Sequence, residues 1–540
     1  MNAALNSNAA PSGFDWLSEL QTNLVYRDIA LKEIINDGLQ PARLFEVAHE
    51  HWGRDLAQEI KQMDFRFVAL WVEDGGGVFT VTACLEKQAD YLLLRCFVPG
   101  QIAGIPSFTP YFPAADRMER HAADLFGVRF LDHPDPRRWT RHQAWSEHQF
   151  PLRKDFPVSG TPLTLTPPDH NYPFISAQGN GVYEIPVGPV HAGTIEPGHF
   201  RFLAVGETVL NLEEHLGYTH KGIEKIAEGR DPQALSRLAG RVSGDATVAH
   251  AWAACMAMER AAGITVPPRA VFLRAIFAER ERIANHLGDI GGICNDVGFA
   301  FAHHQFSRLR EIWQRDSYAG FGHRLLMDTI VPGGVAKNID EQTVEAMRAS
   351  LLRLRGELDE LRLPLDNNGS LQDRLVTAGY LSQEVARGFG CVGYMARASN
   401  VDYDLRRDAP YPPYDRFPVK VACSKDGDVA ARLSVRYDDV YAALDLLERL
   451  LVALPPQQDI LTAWRVPPAG AEGIGLLESW RGELVCYVRF GENNRIARYY
   501  PRDPSVLNWP SLEKLIHNNI VPDFPLCNKS VNGSYSGQDL

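Results

Sequence analysis

The chain has 540 residues, more than one hydrophobic core normally organises, so several domains are expected. Its 55 basic and 67 acidic residues leave a net charge of −12, which argues against a nucleic-acid-binding protein. No apolar run reaches the ~18–20 residues that span a bilayer, and the most apolar helical candidate, Val248 to Met258, is about half that length.

The opening stretch, Met1 to Gly13, is polar and lacks the basic start and apolar run of a signal peptide. Leu31 to Trp52 reads as helical and opens an α/β unit. Arg66–Val72 and Val78–Leu85 alternate around Asp74-Gly75-Gly76-Gly77 and predict a hairpin. No helix start follows the glycines, so they read as a plain turn and not as a phosphate cradle. Tyr91–Val98 reads as the next strand. This first unit spans 14–157. Residues 158–182 are rich in Pro, Thr, Gly and Asn and read as a linker to a second unit, 183–540. Short strands and turns are expected from Val187 to Gly206. Helical periodicity then covers Ala234–Gly263, Pro268–Gly288, Phe299–Tyr318 and Glu341–Leu361, with Val266-Pro267-Pro268 separating the first two. From about Asp415 a strand signal returns at Val419–Cys423 and Leu484–Arg489, followed by irregular chain to Leu540.

The eight cysteines form no Cys-x-x-Cys pair. Scattered thiols suggest a reducing compartment and offer no grouped thiolates for a cluster.

Three ordered motifs stand close together. They are Arg117-x-Glu119-Arg120-x4-Leu125-Phe126-Gly127-Val128-x-Phe130, His133-Pro134-Asp135-x-Arg137-Arg138, and Pro151-Leu152-Arg153-Lys154-Asp155-Phe156-Pro157. This segment resembles the small soluble (30-kDa-type) subunit of respiratory complex I. Downstream, Gly188-Pro189-Val190-His191 and Glu196-Pro197-Gly198-His199-Phe200-Arg201-Phe202 resemble the opening of energy-converting nickel–iron hydrogenase large subunits. Gly217-Tyr218-x-His220-Lys221-Gly222-Ile223-Glu224-Lys225 resembles a motif those proteins share with the quinone-site subunit of complex I. Glu279-x-x-Arg282-Ile283-Ala284-Asn285-His286, Pro332-Gly333-Gly334-Val335, Arg481-Gly482-Glu483 and Arg502-Asp503-Pro504-Ser505 continue the likeness. The implied fold is α+β: an N-terminal α/β domain, then a helical bundle flanked by small β elements.

In the hydrogenases that the chain resembles, two Cys-x-x-Cys pairs hold nickel, because soft sulfur suits that metal. Here Ser243, Ala246, Ser534 and Gly537 stand at those positions. No nickel–iron centre, and no other cofactor on this chain itself, is therefore expected. A quinone stays an open candidate. The tyrosine and histidine that flank it in complex I align with Gly244 and Ile195, which cannot donate protons. Tyr218, His191 and His199 are nearby substitutes, though local packing explains them more simply. His220, Glu224, Asp245 and His250 are candidate proton-relay residues, with Arg241 and Tyr218 as candidate cofactor contacts. A structural salt-bridge cluster is an equal alternative. Asp402, Asp404, Arg406 and Arg407 read as a solvated charge run. Arg117–Pro157 reads as a docking segment.

The resemblance implies a soluble-arm subunit of a membrane-bound complex I-like or hydrogenase-like oxidoreductase complex, linking electron transfer to ion transport. Its partners would be a small iron–sulfur subunit, which holds the clusters, and integral membrane ion-transporting subunits, with no nucleic acid. It would be cytoplasmic, held on the inner face of the membrane by those partners. Ending at Leu540 just after the degenerate motif, it is expected to lose no C-terminal peptide. Two alternatives are an active quinone-type subunit with a modified cavity and a non-redox coupling protein for an ion- or CO2-handling complex.

Overall fold

A computed structural model describes residues 16–540 except 101–103, 143–144, 147, 161–170, 194 and 457–458. The first elements are α1 (Leu17–Val25), β1 (Lys32–Ile34), β2 (Arg43–Glu46), α2 (Arg54–Gln62), β3 (Arg66–Asp74), β4 (Val78–Lys87) and β5 (Asp90–Pro99). They form a sheet of order β1-β2-β5-β4-β3, with β2 and β5 parallel and the other pairs antiparallel. Leu31–Trp52 is thus not a helix. Gly38 and Pro41 interrupt any helical run, and Leu44 and Phe45 are buried in strand pairing with β5. The hairpin and the third strand form as the alternation predicts.

β6 (Gly104–Pro106), α3 (Asp116–Phe126) and β7 (Arg129–Leu131) complete this unit. Its dense motif segment works mostly inside the chain. Glu119 is fully buried and accepts from Ser107 Oγ, Phe108 N and Thr109 Oγ1. Arg153 Nε donates to Phe126 O at 2.7 Å, and its guanidinium covers Phe150. Arg117 joins the two units by ion pairs to Glu214 and Glu513. Of the residues read as a linker, 161–170 lie outside the described residues. Tyr172, just beyond, is not loose chain: it is buried, stacks on His215 and accepts from Arg120.

β8 (Val182–Val187), β9 (His199–Val205) and β10 (Thr208–His215) make an antiparallel sheet of order β10-β9-β8. Then come α4 (Ile223–Ala227), α5 (Pro232–Ala239), α6 (Thr247–Ala262), α7 (Pro268–Asp296) and α8 (Ala300–Phe321). The single helix expected over Ala234–Gly263 is two helices. The α6 N-terminus is capped from a distance, by Glu281 accepting from Val248 N and Ala249 N. No local sequence signal marks that start. α7 is buried around most of its circumference, as a central bundle helix must be.

The hairpin β11 (Ile330–Val331) and β12 (Gly334–Val335) leads to α9 (Glu341–Asp366), then short helices α10 (Gly369–Leu375), α11 (Gln383–Gly388), α12 (Gly393–Ala398) and α13 (Leu405–Asp408). Val419–Cys423 forms no strand. The next element is a 24-residue helix, α14 (Val429–Val452), capped by Asp428 on Ala431 N. β13 (Glu472–Ser479), β14 (Gly482–Phe490) and β15 (Ile496–Arg502) pair antiparallel. The chain after them is not irregular but helical: α15 (Ser505–Leu515), α16 (Phe524–Val531) and α17 (Tyr535–Asp539).

α6 lies directly on β13. A Cβ at Gly473 or Gly475 would sit 1.9 or 2.1 Å from the carbonyl oxygens of Ala257 and Ala253. Two glycines one pleat repeat apart and two alanines one helical turn apart bring backbone against backbone.

Candidate functional site

A cavity of about 880 Å³ lies where the turn before α6, the C-terminal half of α7, the first half of α8 and the C-terminal helices meet. Ser243, Gly244 and Asp245 form one wall; Ser534, Tyr535 and Ser536 form the opposite one. The walls touch. Ser243 Oγ and Ser534 Oγ are 2.8 Å apart, although 291 residues separate them in sequence. Ser243 Oγ also donates to Asp245 Oδ1 at 2.5 Å, and Ser534 Oγ accepts from Gly537 N at 2.9 Å as the cap of α17.

Asp245 is clamped by Arg481 through paired bonds of 3.0 and 2.6 Å. Trp480 Nε1 donates to its main-chain oxygen. Burial pushes the Asp245 carboxyl up, but the Arg481 guanidinium outweighs this and holds it below the ordinary carboxylate range. Behind it, in an annex of the cavity, sits Glu281. Burial raises that carboxyl to about 8, against the two backbone N–H groups it accepts.

The other proposed relay residues do not line this cavity. His250 is buried and pairs with Asp503 at 2.8 Å. Burial opposes ionisation of Asp503, but the bond from His250 prevails and draws it to about 2. Glu224 is buried elsewhere, between His121 at 2.7 Å and Arg498 at 2.5 Å. His220 is not on a shared helical face with Glu224, because α4 starts only at Ile223. Its Nδ1 lies 2.7 Å from Asp539 O, and burial lowers its pKa to about 4. Arg241 pairs with Asp328 near the surface, and Tyr218 packs edge-on against His142. Of the four relay candidates, only Asp245 faces the cavity.

Of the quinone substitutes, His199 and Tyr218 are outside the cavity lining, while His191 is part of it. His191 Nε2 lies 3.3 Å from Tyr535 Oη. Sequence reasoning does not single out Tyr535, although it stands inside the degenerate Ser534-x-x-Gly537 motif. Arg481, Asp289, Arg310 and Lys529 also line the cavity without having been expected there. The Arg481-Gly482-Glu483 motif could have pointed to Arg481; nothing marks Arg310, one of several charges along α8. The 402–407 run splits. Asp404 and Arg406 are buried with Glu279, while Asp402 and Arg407 pair near the surface.

Three family descriptions match along the chain. "Respiratory-chain NADH dehydrogenase, 30 Kd subunit" matches residues 41–162, "Nickel-dependent hydrogenase" 221–288, and "Respiratory-chain NADH dehydrogenase, 49 Kd subunit" 296–468. Formate hydrogenlyase subunit 5 of Escherichia coli (strain K12) is 33% identical over 464 residues, covering 86% of this chain and 81% of that protein. The chain belongs to the family of complex I and nickel-dependent hydrogenase large subunits. The C/D protein of NADH-quinone oxidoreductase from Phocaeicola vulgatus is 32% identical over 437 residues, 77% of this chain and 83% of that one. Among solved structures, the membrane-bound sulfane sulfur reductase, an archaeal respiratory membrane complex, matches with TM-score 0.64 and 25% identity. The match covers 68% of this chain and all of that one. The family's 30-kDa unit is therefore fused ahead of the large subunit here.

The residues that the sequence motifs set at nickel positions, Ser243, Ala246, Ser534 and Gly537, offer no thiolate and do not fit a nickel–iron centre. The Ser243 and Ser534 hydroxyls satisfy each other, and Ala246 offers no donor. At Gly537 a Cβ would start 2.6–3.0 Å from the Asp503 carboxylate. Among the described residues no group of three His, Cys, Asp or Glu is placed to hold a metal ion.

Proposed function

We propose that this chain is a nickel-free large subunit in the soluble arm of a membrane-bound, complex I-like oxidoreductase complex. One observation supports the reading most strongly. Ser243 and Ser534 meet at 2.8 Å, so the two segments read as ligand segments converge, with hydroxyls at two of the four thiolate positions and no side-chain donor at Ala246 and Gly537. No helix among the described residues is long and apolar enough to cross a membrane. Attachment to the inner face of the membrane would then come from integral ion-transporting subunits. Electrons would come from clusters in a small iron–sulfur subunit, since seven of the eight cysteines here are buried and no three metal-ligating side chains gather among the described residues.

Purification of the tagged chain from native membranes tests this. It should bring down an iron–sulfur protein and integral membrane subunits, with nickel far below one atom per chain. Equimolar nickel, or a chain that leaves the membrane alone, would overturn it.

The His191–Tyr535 pair favours a second reading, in which the cavity still serves a small acceptor that takes up protons. In that case Tyr535→Phe lowers turnover of the assembled complex. If the complex has redox activity that Tyr535→Phe leaves unchanged, this reading fails.

A further inference from the structure

Two glycines interrupt the α7 wall of the cavity. Gly288 and Gly292 are one helical turn apart, and two cations lie across them. Arg310 reaches over from α8: a Cβ at Gly288 would meet its Cδ, Nε and Cζ at 3.2–3.3 Å. Lys529 reaches over from α16: a Cβ at Gly292 would meet its Cε at 2.3 Å. Any larger residue at 292 would displace the lysine stem. The glycines thus let positive groups from two other helices approach neighbouring turns of α7 in the cavity.

The charges there are unevenly matched. Asp245 has Arg481, and Glu311 has Arg315 and Arg324. Asp289 accepts from Arg436 at 3.0 Å and from Asn532 at 2.7 Å, leaving Lys529 a looser 3.6 Å contact. Glu196 accepts from Ser536 N. Asp296 is the remaining acid, and burial raises its carboxyl above the ordinary range. Arg310, by contrast, has no acidic partner within 4.0 Å among the described residues. Its Nε is buried without a hydrogen-bond acceptor. That N–H packs against Gly288, so the half-buried side chain can offer a ligand only its terminal guanidinium N–H groups.

We propose that this part of the cavity binds a small monoanionic carboxylate, held by Arg310 and Lys529. The planar guanidinium matches a carboxylate edge with two parallel bonds, and the ammonium supplies a point charge from the other side. The acids lining the same cavity disfavour a dianion such as phosphate, while one negative charge matches the one unneutralised arginine. The inference concerns the cavity of the proposed nickel-free subunit but does not require its partners.

Ligand-observed NMR with acetate and the full chain at low salt tests it. Acetate has only four non-hydrogen atoms, so a Kd of about 1–10 mM is the expected range. Arg310→Met and Lys529→Met should each weaken binding about tenfold or more. Arg308→Met, on the same helix but paired with surface Glu357, should leave it unchanged. A measurement on the unaltered chain guards against misfolded variants. Acetate should slow acylation of the Lys529 amine, read by peptide mass, more than chloride does at equal ionic strength. Absence of saturable acetate binding, binding indifferent to both substitutions, or equal protection by chloride would overturn the proposal. None of these outcomes touches family membership or co-purification with membrane subunits, so the two readings fail separately.

Discussion

Gly537 shows at single-residue scale why the old ligand frame cannot simply be refilled. Its missing side chain leaves room for the Asp503 carboxylate, which in turn holds His250 in the core. Gly537→Ala should therefore destabilise the chain by about 1–3 kcal/mol, read by denaturant unfolding. Restoring cysteines at 243, 246, 534 and 537 together should still give no stoichiometric nickel by elemental analysis. Glu281 makes a second residue-scale prediction. Its pKa of about 8 in the folded chain lies above the ~4.3 expected when unfolded. The folded state therefore holds more protons between those values. The stability this contributes is complete below pH ~4 and is lost as pH rises through 8, by roughly 5 kcal/mol. Glu281→Gln should flatten that part of the stability–pH profile; an unchanged slope would mean that Glu281 is ionised throughout.

At the scale of elements, the contact of α6 with β13 is the least tolerant joint. Gly475→Ala places a methyl carbon 2.1 Å from the Ala253 carbonyl oxygen, a backbone atom that cannot swing away. We expect a loss of about 3 kcal/mol or more, or no soluble protein, against little or no loss for Gly356→Ala, which is helical and in open space. The same scale explains what the sequence could show. β3, β4, β5, α7, α8 and α9 are legible because each repeats its own period and has local end signals. The start of α6 is not, because Glu281 caps it from another helix. α14 is hidden because the strand-like run Val419–Cys423 stands just ahead of the Asp428 cap and outweighs it. In the site, Ser243 and Ser534 are found through motif spacing. The cavity's charged lining is not, because Arg310 and Lys529 meet only through glycines on a third element. Motif spacing also sets Glu224 and His250 too near the site. Proximity along the chain says little about which face of a core a buried ion pair occupies, and these two pairs are internal struts.

For the whole molecule, the N-terminal unit and the large unit behave as one body in their ionic contacts. Glu483 takes Arg66 from one unit and Arg502 from the other, and Tyr91 donates to it. Tyr487 and Arg489 reach Glu73, and Lys225 donates to Arg153 O. Burial opposes ionisation of Glu483, but the two arginines overcome it and hold its pKa at about 2. Its contribution to stability is therefore present above pH ~4 and is lost as pH falls towards 2. Glu483→Ala would leave buried Arg502 unpaired and Arg66 with Glu86 alone, so a loss of about 3–5 kcal/mol is expected. A single cooperative unfolding transition should be seen for the whole chain by calorimetry. Two separated transitions would show that this seam is weaker than its geometry.

The hydroxyl bond between Ser243 and Ser534 closes a loop of 291 residues. Where nickel spans these two segments, closure waits on delivery of an ion. In a nickel-free chain the knot is tied by protein groups alone, with Arg481 bridging Asp245 and Asn532 beside it. On the nickel-free reading proposed above, biogenesis would need no metal-loading step. The amount of folded protein should then be the same in nickel-starved and nickel-replete cells.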